Sequence, residues 1–134
     1  MNKPLILVVE DDPSVRNLIT TTLKTNDYRY VVAPNGSAAI MEATSHNPEI
    51  ILLDLGLPDM DGVQVIQTVR SWSNVPIIVI SARSEDNDKI KALDAGADDY
   101  LTTPFSVEEL SARLRETQRR LAMMTAEMAT ASTV

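Results

Sequence analysis

The sequence has no cysteine, so it can form no disulfide, no thiolate metal site and no cysteine nucleophile. Its single histidine, His46, excludes a metal site built from several imidazoles. No apolar stretch approaches the roughly 18 residues that a membrane-spanning helix needs. The N-terminus runs Met1-Asn2-Lys3-Pro4 straight into aliphatic sequence, too short for a secretory signal, and the chain reads as cytoplasmic. Basic residues are scarce, 12 against 19 acidic ones, for a net charge of −7, so a general nucleic-acid-binding surface is not expected. There is no internal repeat and no internal linker, and 134 residues suit one domain with one core.

What is present is an alternation. Leu5-Ile6-Leu7-Val8-Val9 and Ile50-Ile51-Leu52-Leu53 are continuous aliphatic runs, which read as strands buried on both faces. Strands are expected over residues 5–9, 28–33, 49–54, 75–80 and 98–102. Helices are expected between them. The first opens at Asp12-Pro13, a cap followed by proline in the first turn, and ends at Asn26-Asp27. Its apolar spacing is Val15, Leu18, Ile19 and Leu23. The second covers residues 37–45 with Ile40 and Ala43 inward, and leaves His46 facing water at its C-terminal end. The third covers residues 60–71, with Val63, Ile66 and Val69 periodic. The fourth covers residues 86–95 and stops at Gly96. The last opens at Ser106-Val107-Glu108-Glu109, which fits a capping box, and carries Leu110, Leu114 and Leu121. Five strands alternating with five helices imply an α/β fold, a doubly wound parallel sheet with helices on both faces. Residues 122–134 are Ala/Thr/Met-rich with one charge, Glu127, and are expected as frayed helix or disorder.

In such a sheet, ligands sit beyond the C-terminal ends of the strands. This chain places Glu10, Asp11 and Asp12 after strand one, Asp54 after strand three, Ser81 after strand four, and Thr102 and Thr103 after strand five. No lysine or arginine falls in these segments. Carboxylates that close repel one another, and a divalent cation is the simplest relief. The donors are all oxygen, which suits Mg2+, an ion that takes one or two carboxylates and leaves room for phosphoryl oxygens. Asp54 then reads as a nucleophile that forms an acyl phosphate, with Ser81 in reach of a phosphoryl oxygen. The bland reading of any one carboxylate here is a helix cap, and Asp12 is taken as one. The set of Glu10, Asp11, Asp54 and Ser81 is what favours chemistry.

Four motifs carry a resemblance to a known family: Val9-Glu10-Asp11-Asp12, Leu53-Asp54-Leu55-Gly56-Leu57-Pro58-Asp59-Met60-Asp61-Gly62, Ser81-Ala82-Arg83, and Ala95-Gly96-Ala97-Asp98-Asp99-Tyr100-Leu101. With them the chain resembles a response-regulator receiver domain over about nine tenths of its length, within residues 1–121. Asp98-Asp99-Tyr100 and the charged last helix are similar to the OmpR/PhoB class. The resemblance implies the flavodoxin/CheY-like strand order 2-1-3-4-5. It implies Asp54 as phosphoacceptor, Glu10 and Asp11 with Asp54 as Mg2+ carboxylates, the Gly56 carbonyl as a further ligand, and Ser81 and Tyr100 as the switch pair. The implied partners are a sensor histidine kinase and a second copy of the chain, with no membrane and no nucleic acid bound by this domain. The implied dimer face joins helix 4, strand 5 and helix 5. Across it Lys89 would pair with Glu109, Asp99 with Arg113 and Asp94 with Arg115, around Ile90 and Leu93. The output would be transcription through a winged-helix DNA-binding domain that these 134 residues do not include; in a longer protein the tail would begin the linker to it. The resemblance further implies a signalling module that assists only its own phosphorylation and dephosphorylation, rather than an enzyme acting on others.

One position departs from the resemblance. Receiver domains carry a lysine before the proline that follows strand five, and here Thr103 precedes Pro104. The pocket is short of one positive charge beside an acyl phosphate carrying roughly two negative ones. Thr103-Pro104 is expected to keep the cis geometry usual there. The alternative reading is therefore a degenerate receiver, an interaction module that works without phosphorylation. A phosphohydrolase resembling haloacid dehalogenases would need a second aspartate where Gly56 stands. A flavodoxin-like cofactor binder would need hydroxyls and amides where Glu10-Asp11-Asp12 stands.

Overall fold

The computed structural model describes residues 3–132, with side chains through Thr125. Five strands alternate with five helices: β1 (Leu5–Val9), α1 (Pro13–Thr25), β2 (Arg29–Ala33), α2 (Gly36–His46), β3 (Ile50–Leu53), α3 (Gly62–Arg70), β4 (Ile77–Ser81), α4 (Asp86–Ala95), β5 (Asp99–Thr102) and α5 (Val107–Ser132). All strand pairs are parallel, and the sheet order is β2-β1-β3-β4-β5, as expected.

The aliphatic runs explain the layers. Side chains alternate along a strand, so a run with no polar residue must be covered twice. Leu7, Val9, Ile51, Leu53, Ile77 and Val79 point to one face, where Ala39, Ala43, Val65, Ile66, Val69 and Ala92 of α2, α3 and α4 meet them. Ile6, Val8, Ile50, Leu52, Ile78 and Ile80 point to the other, where Ile19 and Leu23 of α1 and Leu110 and Leu114 of α5 close over them. The order of strands is what brings the ends of β1 and β3 side by side, with β4 next.

Several boundaries differ from the sequence reading. Strand β2 starts at Arg29, because the Tyr28 N–H still donates to the Leu23 carbonyl of α1 at 2.9 Å, and the Tyr28 hydroxyl donates to Gln118 at 2.8 Å. Helix α3 starts at Gly62, not residue 60. Gly56 and Asp61 form a short antiparallel bridge, and the Gly62 N–H returns to the Leu55 carbonyl at 2.8 Å, so the chain folds back before the helix opens. Val65, Ile66 and Val69 are then the buried side chains, and Val63 is only partly covered. In α1, Leu18 keeps the apolar spacing yet stays 39 % exposed, and Thr22 is buried instead with its hydroxyl on the Leu18 carbonyl. His46 is half exposed at the end of α2, with Nδ1 2.7 Å from Glu42. The expected tail from residue 122 is helix through Ser132, and Thr133 and Val134 lie outside the described residues.

The caps at Asp12 and Gly96 behave as the sequence implied, and the expected capping box at Ser106 shows one of its two bonds. Asp12 accepts the Ser14 N–H at 2.8 Å with Pro13 in the first turn, and Ser106 accepts the Glu109 N–H at 3.0 Å. Gly96 ends α4 at φ +122°, a backbone conformation that side chains rarely tolerate. A Cβ there would also lie 2.8 Å from Cγ of Arg70.

Candidate functional site

The strand ends build a cleft of about 270 Å3 lined by Glu10, Asp11, Asp12, Val15, Asp54, Ile80, Ser81, Ala82 and Thr103. Glu10, Asp11 and Asp54 each offer a carboxylate oxygen, and these atoms lie within 4.8 Å of one another. The register does this. Val9 is opposite Leu53, and the Asp54 N–H donates to the Val9 carbonyl at 3.0 Å, so the residues just past both strands leave the sheet together. Among the described residues no lysine or arginine lines the cleft.

The three carboxylates differ in setting. Glu10 is 3 % exposed, Asp54 is half-buried and Asp11 is exposed. Burial, then the Asp54 charge and hydrogen bond beside it, push the Glu10 carboxyl up to about 8. The Asp12 N–H, donating to Glu10 Oε2 at 3.3 Å, opposes that shift only in part. A cluster of this kind is short of positive charge, and its all-oxygen donor set fits a hard divalent cation. Arg16 comes near without entering: its Nη1 reaches the Glu10 carbonyl at 3.5 Å.

The loop from Asp54 to α3 is held on two sides. The Gly56 N–H donates to Asp54 Oδ1 at 3.3 Å. Asp59 spans to another element, accepting the Gly36 N–H at 2.7 Å and the Ser37 N–H at 2.9 Å at the start of α2. These two N–H bonds, the Gly36 one foremost, hold the Asp59 carboxyl below the ordinary carboxylate range. Asp61 caps α3 through the Val63 N–H at 2.9 Å and meets Arg83 Nη1 at 2.9 Å. Burial alone would raise Asp61, but those two partners outweigh it and lower it. None of the Asp59 and Asp61 contacts was foreseen from sequence. The only signal was their place in a turn, where Asp is ordinary.

Ser81 is 2 % exposed at the end of β4, and its hydroxyl accepts the Arg83 N–H at 3.2 Å. Tyr100 is partly buried on β5, with its hydroxyl on the Arg83 carbonyl at 2.6 Å and Lys89 Nζ 5.9 Å from the ring centroid. Thr103 reaches the cleft, its N–H on the Ser81 carbonyl at 2.9 Å, and the Thr103-Pro104 bond is cis.

The residues assigned to a dimer face lie away from the carboxylates, on α4, β5 and α5. Ile90 and Leu93 are 55 % and 46 % exposed there. Asp94, Glu109 and Arg115 are exposed, and Lys89 is partly covered. Asp99 and Arg113, assigned to opposite chains, are paired within this one, with Arg113 Nη1 at 2.9 Å and 3.0 Å from the two Asp99 oxygens. The start of β5 and the second turn of α5 are neighbours in the fold, so the closest available partner is internal.

Residues 6–115 match the response regulator receiver domain. The KDP operon transcriptional regulatory protein KdpE of Escherichia coli K12 is 50 % identical over 121 residues, covering 90 % of this chain and 54 % of that protein. The transcriptional regulatory protein KdpE of Mycobacterium tuberculosis is 45 % identical over 116 residues, 87 % of this chain and 51 % of that one. The chain spans about half the length of these curated relatives. Among solved structures, the BeF3-activated N-terminal receiver domain of Klebsiella pneumoniae RstA superposes with a TM-score of 0.82 at 35 % identity, covering 86 % of this chain and 98 % of that one. The Francisella response regulator 1452 receiver domain gives 0.83 at 33 % identity, covering 89 % and 99 %. The carboxylate cleft at the ends of β1 and β3, the strand order and these matches agree, and the chain belongs to the response-regulator receiver-domain family.

Proposed function

We propose that this chain is the phosphoacceptor module of a KdpE-like transcriptional regulator, and that Asp54 takes a phosphoryl group from a sensor histidine kinase. The observation that carries this is the convergence of Glu10, Asp11 and Asp54 within 4.8 Å in a cleft that no basic side chain lines among the described residues. Glu10 and Asp11, with Asp54 and the Gly56 carbonyl, would hold Mg2+, which when bound neutralises charge on the transferring group. Asp54, half-buried yet facing the cleft, is the nucleophile: its oxygen forms the new bond to phosphorus while the donor nitrogen leaves. Ser81 turns its hydroxyl to a phosphoryl oxygen, and Tyr100 follows on β5.

The output is a change in self-association on the face formed by α4, β5 and α5. Ile90 and Leu93 supply apolar area there. Lys89 with Glu109 and Asp94 with Arg115 supply charges for a two-fold pairing. Asp99 and Arg113 would first have to exchange their internal bond for one across the interface. Residues 1–121 form the receiver, and residues 122–134 begin a linker toward a DNA-binding domain in a longer protein. Thr103 alone speaks for a phosphorylation-independent module, and the carboxylate geometry beside it is intact. None of the helices among the described residues is long and apolar enough to cross a membrane.

Intact-mass spectrometry after incubation with acetyl phosphate and Mg2+ tests the proposal. One added phosphate is expected, absent from Asp54→Asn and from samples in EDTA. No gain with the wild-type chain under any condition would refute it.

A further inference from the structure

Arg83 lies beside the carboxylate cleft, and three of its groups reach three parts of the site. Its N–H donates to the Ser81 hydroxyl at 3.2 Å, its carbonyl accepts the Tyr100 hydroxyl at 2.6 Å, and its Nη1 donates to Asp61 Oδ2 at 2.9 Å. Asp61 in turn caps α3 through its other oxygen and forms the bridge with Gly56, two residues past Asp54. One residue thus ties the loop after β4 to the loop after β3. Outside the strand ladder and α4, the hydrogen bonds that tether residues 82–84 all involve Arg83.

We propose that Arg83 is a positioning residue: its ion pair with Asp61 fixes the Ser81 hydroxyl and the carbonyl that receives Tyr100 relative to Asp54. The inference rests on the reading of Asp54 as phosphoacceptor, because only then does the relative position of Ser81 and Tyr100 matter. The competing account is an inert surface pair. Asp88 and Lys91 of α4 line a second small cleft together with Asp61 and Arg83, apart from the carboxylate cleft, and either charge is a candidate to replace a lost partner. The pair is partly exposed, with 37 % of the Arg83 side chain and 45 % of the Asp61 side chain accessible. Its effect on a two-state ratio is therefore at most about fivefold.

The chain has three tyrosines, Tyr28, Tyr30 and Tyr100, so 3-fluorotyrosine labelling gives three 19F resonances, and Tyr100→Phe assigns the relevant one. The wild type is compared with Arg83→Met, Asp61→Asn, the double variant and Arg83→Lys, with and without acetyl phosphate and Mg2+. Asp61→Asn keeps an oxygen to cap α3 while removing the charge. We expect each single substitution to shift the Tyr100 resonance, or its ratio of environments by up to about fivefold, while Tyr28 and Tyr30 stay in place and report an intact fold. The double variant should add nothing to either single one, and Arg83→Lys should recover part of the wild-type signal. An unmoved Tyr100 in both single variants, or strictly additive shifts, would overturn the assignment. Phosphate uptake is scored by mass on the same samples. A wild-type chain that takes no phosphate defeats the acceptor reading, while Tyr100 in the phosphate-free protein still scores Arg83.

Discussion

Raising the pH of the metal-free domain should weaken it, and Glu10 is the reason. Its carboxyl is pushed from an ordinary 4.5 up to about 8 by burial and by Asp54. The folded state therefore holds this proton more tightly than the unfolded chain does. Stability from Glu10 is fully present below about 4.5 and is lost as pH rises toward 8. The slope inside that window approaches about 1.4 kcal/mol per pH unit. Asp59 and Asp61 act in a separate window. Their carboxyls are lowered from 3.8, so their contribution is present above that value and fades only as pH falls through the lower folded values. If Glu10 holds Mg2+ as proposed, the ion would have to displace this proton, so affinity should climb about tenfold per unit up to pH 7 and level off above pH 8. Circular-dichroism melts in EDTA from pH 5 to 9 read the first effect. Isothermal titration with Mg2+ at pH 7, in buffers of different ionisation enthalpy, counts the released proton. Glu10→Gln mimics the protonated side chain and should flatten the melting profile across this window. A stability that is level or rises between pH 5 and 8, or Mg2+ uptake with no proton released, would refute the reasoning.

Two further outcomes follow from the same structure. Thr103→Lys places an ammonium in a cleft lined by Glu10, Asp11, Asp12 and Asp54, and a charge-assisted bond to a phosphoryl group is worth about 1–3 kcal/mol. The dimer-to-monomer ratio of the acetyl-phosphate-treated protein should rise roughly 5- to 150-fold over Thr103 by light scattering, and an unchanged ratio would show that the switch does not draw on that charge. Gly96→Ala must accept φ +122° and a Cβ 2.8 Å from Arg70, so urea unfolding should lose about 1–3 kcal/mol, while a neutral result would mean the α4 terminus rearranges freely.

The sheet was legible because burial on two faces leaves a mark that needs no neighbour to interpret. Leu5–Val9 and Ile50–Leu53 carry no polar residue, and alternation sends each of them into both cores. Asp12-Pro13, Ser106 to Glu109 and Gly96 were legible for a similar reason, since capping is decided within about one helical turn. Glu10, Asp11 and Asp54 were found as candidates because strand ends in a parallel sheet share one edge, which topology alone fixes. What sequence could not supply were quantities set by distance across the fold. Val63 and Leu18 keep helical spacing, but only the docking of α3 and α1 decides which side of each stripe is covered. Asp99 and Arg113 are 14 residues apart, and their contact within the chain depends on where β5 and α5 come to lie.

The α/β alternation, the caps at Asp12, Ser106 and Gly96 and the oxygen-only character of the strand ends were already written in the order of residues, because each depends on local spacing or residue type. Packing in three dimensions set the raised proton affinity of Glu10, the reach of Asp59 to the start of α2, and the joining of Ser81, Tyr100 and Asp61 by Arg83. Those outcomes are set by burial and by approaches of a few ångströms between segments remote in the chain, and electrostatic and hydrogen-bond energies vary steeply over such distances.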